Sequence, residues 1–350
     1  MENIIFLVII STFISAISTP LVKKLAHKVN AIDVPRDERR IHKKPIPRMG
    51  GLAIYIAFII GMFLNIKNFS MNDWGIVLGA TVIVIGGVID DIKDLKPKYK
   101  LLFQIIASIT LILFGIKVNL ITNIFGSGKD FINVGVLGIP ITIIWVIGIT
   151  NAFNLIDGLD GLAAGVGFIS SVTLFIVAFI NGRENAAFLT VILAGSILGF
   201  LPFNFNPASI FMGDTGSQLL GFILAAISID GAIKSATALV IAVPLLALGL
   251  PIYDTLFAMI RRKLNGKPIM QADKGHLHHR LLGLGLSQRQ AVIIIYLINA
   301  ILGGIAIIAM QISSEKAYFL LALVVIIITF TSWKVGLFNG ENSWGVESCG

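Results

Sequence analysis

MNDWGIVLGATVIVIGGVIDDIKDLKPKYK, residues 71–100, decides the fold. From Trp74 to Ile89 no residue carries a charge, and a run of that kind suits a helix crossing a bilayer. Asp90, Asp91 and Asp94 then crowd its end. Carboxylates at a membrane boundary are costly to keep dry, so they commonly mark an ion or substrate site. Working outward, the pattern recurs twice, with Asp157 and Asp160 in NAFNLIDGLDGLAAG (151–165) and Asp214 in FMGDTGS (211–217). Each cluster stands at the edge of an apolar run.

The rest of the chain agrees with that reading. Of its 350 residues, 56% are hydrophobic and only 13% charged, about half the charged share of a soluble domain. The expected class is an all-α, polytopic membrane bundle forming a single domain over 1–338, with a short polar tail at 339–350. Eleven apolar runs suit membrane-spanning helices: 4–22, 49–66, 74–90, 100–116, 137–153, 161–180, 187–204, 217–230, 236–256, 292–311 and 315–335. The eighth is short. The first lacks a basic leader and a cleavage site, so it reads as a retained helix rather than a signal peptide. The one cysteine, Cys349, excludes an internal disulfide or a cysteine metal site.

Alternate loops divide the 27 Lys and Arg unevenly, about 21 on one side against 6 on the other. The positive-inside rule makes the richer side cytoplasmic, with the N-terminus outside and the C-terminus inside. All three acidic clusters and the histidine-bearing loop then face the cytoplasm. The net charge of +8 serves helix orientation and the anionic inner leaflet, and it also suits an anionic substrate. No nucleic-acid motif is present, and the basic loops lack the interleaved aromatics of a single-strand binder.

Each cluster has a plain reading beside the chemical one. If the third span continues a turn into the cytoplasm, Asp90 and Asp94 share a face as i and i+4. Adjacent like charges then call for a cation or proton between them, or the acids are a solvated helix end paired with nearby lysines. Mg²⁺, with Mn²⁺ the alternative, suits oxygen ligands and commonly bridges carboxylates to substrate phosphates. Asn151, Asn154, Asp157 and Asp160 recur every third residue, so neighbours in the series share a helical face. Gly158 and Gly161 let backbone or ligand approach, or they make only a turn between spans. Asp214 is presented by a tight turn or caps the eighth helix. In KGHLHHR (274–280), His276, His278, His279 and Arg280 suit phosphate or sugar oxygens better than zinc, unless the loop is merely solvated.

Five stretches in order, VPRDERRIHKKPIPRMGG, DDIKDL, NAFNLIDGLDGLAAG, FMGDTGS and HLHHR, closely resemble the polyprenyl-phosphate N-acetylhexosamine-1-phosphate transferases. HLHHR looks like the branch that uses UDP-N-acetylglucosamine to start teichoic-acid, O-antigen or similar envelope polysaccharides. The resemblance implies an enzyme of the bacterial cytoplasmic membrane whose active site faces the cytoplasm. There, undecaprenyl phosphate attacks the β-phosphorus of a UDP-N-acetylhexosamine and UMP leaves. It implies that Asn154 and Asp214 hold the metal, that Asp90 and Asp91 position or deprotonate the lipid phosphate, and that Asp157 belongs to the catalytic set. Lys100 would hold a phosphate as a point charge. Asp94 and Asp160 would order substrate, Phe211 would stack on uracil, and His276, His278, His279 and Arg280 would contact sugar or diphosphate. The resemblance also admits a homodimer.

Two other classes compete. An intramembrane prenyltransferase would use DDIKD on an isoprenyl diphosphate, but it leaves FMGDTGS and HLHHR unexplained. A cation-coupled transporter expects acids near mid-bilayer on interrupted helices, whereas these acids stand at the ends of spans.

Overall fold

The computed structural model describes residues 2–35, 44–64, 69–122, 131–232, 242–266, 268, 275–312 and 314–334. Helices dominate: α1 (Glu2–Lys28), α2 (Gly51–Leu64), α3 (Met71–Lys93), α4 (Pro97–Leu113), α5 (Gly138–Ile156), α6 (Leu162–Ile180) and α7 (Glu184–Asn204), followed by α8 (Gly213–Ala232), α9 (Ala242–Ala247), α10 (Gly249–Leu264), α11 (Leu277–Gly283), α12 (Gln288–Ala309) and α13 (Ser314–Lys334). Two short antiparallel pairings are also present, β1 (Ile32–Asp33) with β2 (Ile46–Pro47), and β3 (Leu120–Thr122) with β4 (Phe131–Asn133).

The described parts of the expected apolar runs lie mainly on helices, one helix to a run except in the ninth. Among the described residues, α1, α3, α5, α6, α7 and α12 contain stretches long and apolar enough to cross a membrane. Their outward faces carry exposed Ile, Leu and Phe, such as Ile9, Phe13 and Leu21 on α1 and Ile293, Leu297 and Ile301 on α12. The eighth run is the hub. From Thr215 to Ile229, α8 is buried at every position, as expected of a helix that is apolar all round, and α2, α3, α5, α6 and α7 pack around it.

The ninth run departs from expectation. Its described part is two helices, α9 and α10, broken at Leu248. The cause is Pro251. It lacks the N–H that would bond the carbonyl of Ala247, and its ring clashes with that carbonyl. The released oxygen instead accepts the Ser170 hydroxyl of α6 at 2.8 Å. α10 then continues to Leu264, beyond the expected end at 256. Residues 236–241 of that run, Arg36, Arg39 and Arg40, and the polar tail 339–350 lie outside the described residues.

Candidate active site

All three acidic clusters meet at one end of the bundle, around a cavity of about 840 Å³. The C-terminal ends of α1 (Lys23, His27), α3 (Asp91), α5 (Asn154) and α7 (Asn204) line it, with the first turns of α8 (Asp214) and α12 (Gln288). α1, α3, α5 and α7 thus end here, and α8 and α12 begin here. That alternation brings motifs from distant parts of the chain to one face.

The α3 cluster divides into three jobs. Asp91 is 2% exposed, and both its oxygens serve the start of α8. Oδ1 accepts the Asp214 N–H at 2.9 Å, while Oδ2 accepts the Thr215 N–H at 3.1 Å and the Thr215 hydroxyl at 2.5 Å. This is an N-cap delivered from another helix, with a negative charge where the α8 dipole favours one. Gly213 makes it fit: its φ is +70°, and a Cβ there would lie 2.5 Å from Asp91 Oδ2. Asp90, also buried, accepts the Leu95 N–H at 2.6 Å and pairs with Lys100 Nζ at 2.6 Å. Asp94 leaves the face expected of it. The helix stops at Lys93, and Asp94 adopts the left-handed conformation with φ 47°, which Asp tolerates better than most residues. Its side chain is 80% exposed and pairs with Arg48 at 2.5 Å, while Arg48 Nε donates to the Asp91 carbonyl at 2.9 Å.

The cation expected between carboxylates is, in part, Lys100. Its ammonium bridges Asp90 and Asp214, at 2.6 and 2.5 Å. Asp214 also receives the Asn154 amide at 3.1 Å and Gln218 at 3.3 Å. Behind it, Gln104 of α4 bonds both Asn151 of α5 and Gln218 of α8. Asn151 therefore orders the site from beneath rather than facing a ligand.

The three-residue series does not lie on one helix. α5 ends at Ile156, and Gly161, with φ +78°, starts α6 after a tight turn. Within that turn, Asp160 Oδ2 accepts the Asn206 amide at 2.9 Å and the Ala208 N–H at 3.0 Å. Asn206 reaches on to Gln288 at 2.7 Å, so Asp160 ties the α7–α8 loop to α12. Asp157 is different. It lines the cavity, and no hydrogen bond or ion pair reaches its carboxylate among the described residues. Burial first, then Asp214, Asp91 and Asp160, push its pKa well above the ordinary carboxylate range.

Phe211 lines the cavity, held by backbone pairing of its strand-like stretch with the RMGG turn: Phe211 N–H to Pro47 O at 2.8 Å, and Gly50 and Gly51 N–H to Phe211 and Met212 O, each at 2.9 Å. The histidine loop splits. His279 reaches the cavity wall. His278 is buried against Gly158, where a Cβ would stand 2.4 Å from its Nε2. Burial, then His279 and His276, hold the His278 pKa down to about 3, so its ring is neutral. His276 is buried on α10 against Asp254 at 2.7 Å, and Arg280 Nε donates to the Gly275 carbonyl at 3.0 Å. Residues outside the sequence motifs also serve the site, among them Asp254, Asn206, Gln288, Gln104 and Gln218. Asp254 carried one readable signal, an acid inside an apolar run.

The donor set facing the cavity suits a hard divalent cation. Asp214, Asn154 and the unpartnered Asp157 offer oxygen only. No group of three His, Cys, Asp or Glu converges as a ready metal cage among the described residues. Mg²⁺ commonly takes one or two carboxylates and completes its shell with water and substrate phosphates.

Residues 73–232 match the family described as Glycosyl transferase family 4. The chain is 40% identical, over 97% of its length and 94% of the relative's, to a probable undecaprenyl-phosphate N-acetylglucosaminyl 1-phosphate transferase of Bacillus subtilis. It is 36% identical to a decaprenyl-phosphate N-acetylglucosaminephosphotransferase of Mycobacterium leprae, covering 82% of this chain and 79% of that one. It is 28% identical to the undecaprenyl-phosphate alpha-N-acetylglucosaminyl 1-phosphate transferase of Escherichia coli K12, covering 90% and 88%. With the whole bundle matched and the acidic motifs gathered at one cavity, the chain belongs to glycosyl transferase family 4.

Proposed function

We propose that this protein transfers N-acetylglucosamine-1-phosphate from UDP-N-acetylglucosamine to undecaprenyl phosphate, the first step of a cell-envelope polysaccharide. An oxygen of the lipid phosphate attacks the β-phosphorus, the phosphoanhydride bond breaks, and UMP leaves with the electron pair. The lipid-linked sugar diphosphate remains in the bilayer. The observation that carries this reading is the cavity itself. Its lining brings Asp157, Asn154 and Asp214 together with Arg48 and Lys23, so groups that could hold a cation and groups that could hold phosphate share one cavity at the helix ends. The names of the relatives supply the sugar and the lipid. The eleven-span topology with the N-terminus outside and the C-terminus inside follows from the charge count, which would turn the cavity to the cytoplasm. A homodimer remains part of the proposal through the family alone.

The residues then divide the work. Mg²⁺, or Mn²⁺, would be held by Asp214 and Asn154 with Asp157 beside them, and bound there it neutralises charge on the diphosphate as the anhydride opens. Lys100, fixed by Asp90 and Asp214, directs a second positive charge at the same phosphates. The acceptor phosphate has a second pKa of about 6, so it arrives largely as a dianion and needs no strong base. Asp90, with its oxygens on Lys100 and the Leu95 N–H, serves as a positioning group. Asp91 acts through α8, and Asp94 through Arg48. Asp160 shapes the nucleoside end, Phe211 offers a face to uracil, and His279 reaches the sugar diphosphate.

The test uses protein purified in detergent, undecaprenyl phosphate, Mg²⁺, and UDP-N-acetylglucosamine labelled in both uridine and sugar. Equal amounts of UMP and labelled lipid are expected, lost with EDTA and in Asp214→Asn. Release of UDP would refute phosphate transfer and mean plain glycosyl transfer. Turnover only with another UDP-N-acetylhexosamine would correct the sugar.

A further inference from the structure

Asp254 belongs to none of the three acidic clusters. It stands alone in PIYDTLFAMI (251–260) on α10 and is only 8% exposed. A solitary acid in an apolar helix is expensive to bury, and it persists where it has a task and a partner. Here both oxygens are used. Oδ2 lies 2.7 Å from His276 Nδ1, and Oδ1 accepts the Leu277 N–H at 2.8 Å. Seven residues on, along the same face of α10, Arg261 packs its guanidinium over Gly275, where a Cβ would meet Cζ at 2.2 Å. α10 therefore grips 275–277 at two points. From there the rings run inward: His276 stacks on His278 with centroids 5.9 Å apart, and His278 meets His279 at 4.2 Å.

We propose that Asp254 is a positioning residue that latches the HLHHR loop onto α10, so that His279 stands at the cavity wall. The assignment rests on the function proposed above for its catalytic consequence, though not for the latch itself. Asp254 does not touch substrate. A carboxylate that holds both a ring nitrogen and the next backbone N–H fixes two consecutive residues, and hence the direction in which α11 starts. Asparagine offers one acceptor oxygen for the two contacts. Alanine leaves the Leu277 N–H and His276 Nδ1 unpartnered in a dry setting.

The experiment has two arms on the full-length protein. The first compares kcat and KM for UDP-N-acetylglucosamine in wild type, Asp254→Asn, Asp254→Ala, Asp254→Glu, His279→Gln and the Asp254→Asn/His279→Gln double variant. A displacement near 1 Å costs about a hundredfold in rate or specificity, so kcat/KM should fall about that far in Asp254→Asn and Asp254→Ala, mainly through KM. Asp254→Glu should recover part of the loss. The double variant should be no worse than the more damaged single variant, because groups acting through one contact are not additive. The second arm follows backbone hydrogen exchange without substrate. Residues 277–283 should exchange faster in Asp254→Asn, with α6 and α8 unchanged. Multiplying losses in the double variant, or unchanged exchange over 277–283, would overturn the proposal. Exchange needs no turnover, so an inactive wild type would sink the proposed reaction and leave the latch to be judged by exchange. If Asp254→Ala does not remain folded, the Asn and Glu variants carry the test.

Discussion

Gly158→Ala is the smallest change with a large expected effect. A Cβ at that position would stand 2.4 Å from His278 Nε2, 2.8 Å from Cε1 and 3.1 Å from Cδ2, against an ordinary contact of 3.4 Å or more. The ring would have to retreat by about 1 Å. It has little freedom to do so, because His278 is 3% exposed and wedged between His276 and His279. Overpacking of this kind costs about 1–3 kcal/mol of stability. The displaced ring carries His279 with it, and a misplacement near 1 Å is worth about a hundredfold in activity. The assay is kcat/KM for UMP formation beside a thermal unfolding curve in the same detergent. In a His278→Ala background the added methyl has room, so Gly158→Ala should cost nothing further there. Gly158→Ala with wild-type kcat and KM would refute the reasoning, as would an equal loss in both backgrounds.

Other outcomes follow from the same contacts. Asp91→Asn leaves one oxygen for three donors, so it should lower stability by about 1–3 kcal/mol and cut activity by misplacing Asp214, read by melting temperature and UMP release. Asp157→Asn should abolish most turnover yet raise the melting temperature in EDTA, because burial first, and then Asp214, Asp91 and Asp160, disfavour the charge that the carboxylate carries. The raised Asp157 pKa fixes the sign of the pH effect. The folded state holds the proton more tightly, so this group's contribution is present below the ordinary carboxylate pKa and is lost as pH rises through the raised one. The slope is at most about 1.4 kcal/mol per pH unit. The gap between Asp157→Asn and wild type should therefore widen with rising pH, and a constant gap would count against the assignment. Lys100→Met should be more damaging than Lys100→Arg, since it strands Asp90 and Asp214 together without a cation; parallel UMP assays decide this.

Much of the architecture was legible in residues alone, and for one reason. Water exclusion acts on composition, so a run such as Trp74–Ile89 or Leu219–Ile229 must satisfy its backbone internally and becomes a helix wherever it packs. The acids were legible as a group because a bilayer makes any charge conspicuous. What each acid does was not legible. Asp90, Asp91 and Asp94 are near neighbours in sequence, yet one pairs with Lys100, one caps α8 and one faces outward to Arg48. The helix itself points Asp90 and Asp91 apart, whereas the left-handed turn that swings Asp94 away is not announced by the periodicity of DDIKD. Asn151 and Asn154 share α5, but Asp157 and Asp160 lie beyond its end and reach different partners.

Asp254 marks the boundary between the two kinds of knowledge. Its presence in an apolar run was there to be read, but its partner lies 22 residues away, across residues whose pattern gives no hint of return. The residue types, their periodicity and the loop charges pointed by themselves to a membrane bundle with a polar, acid-rich end. Only the packing of α3 on α8, of α5 on α8 and of the histidine loop on α10 decided which acid is paired, which is a cap and which is left without a hydrogen-bond partner. Periodicity encodes where the backbone must hide from lipid, whereas the charge a carboxylate expresses depends on whatever donor the fold brings within about 3 Å.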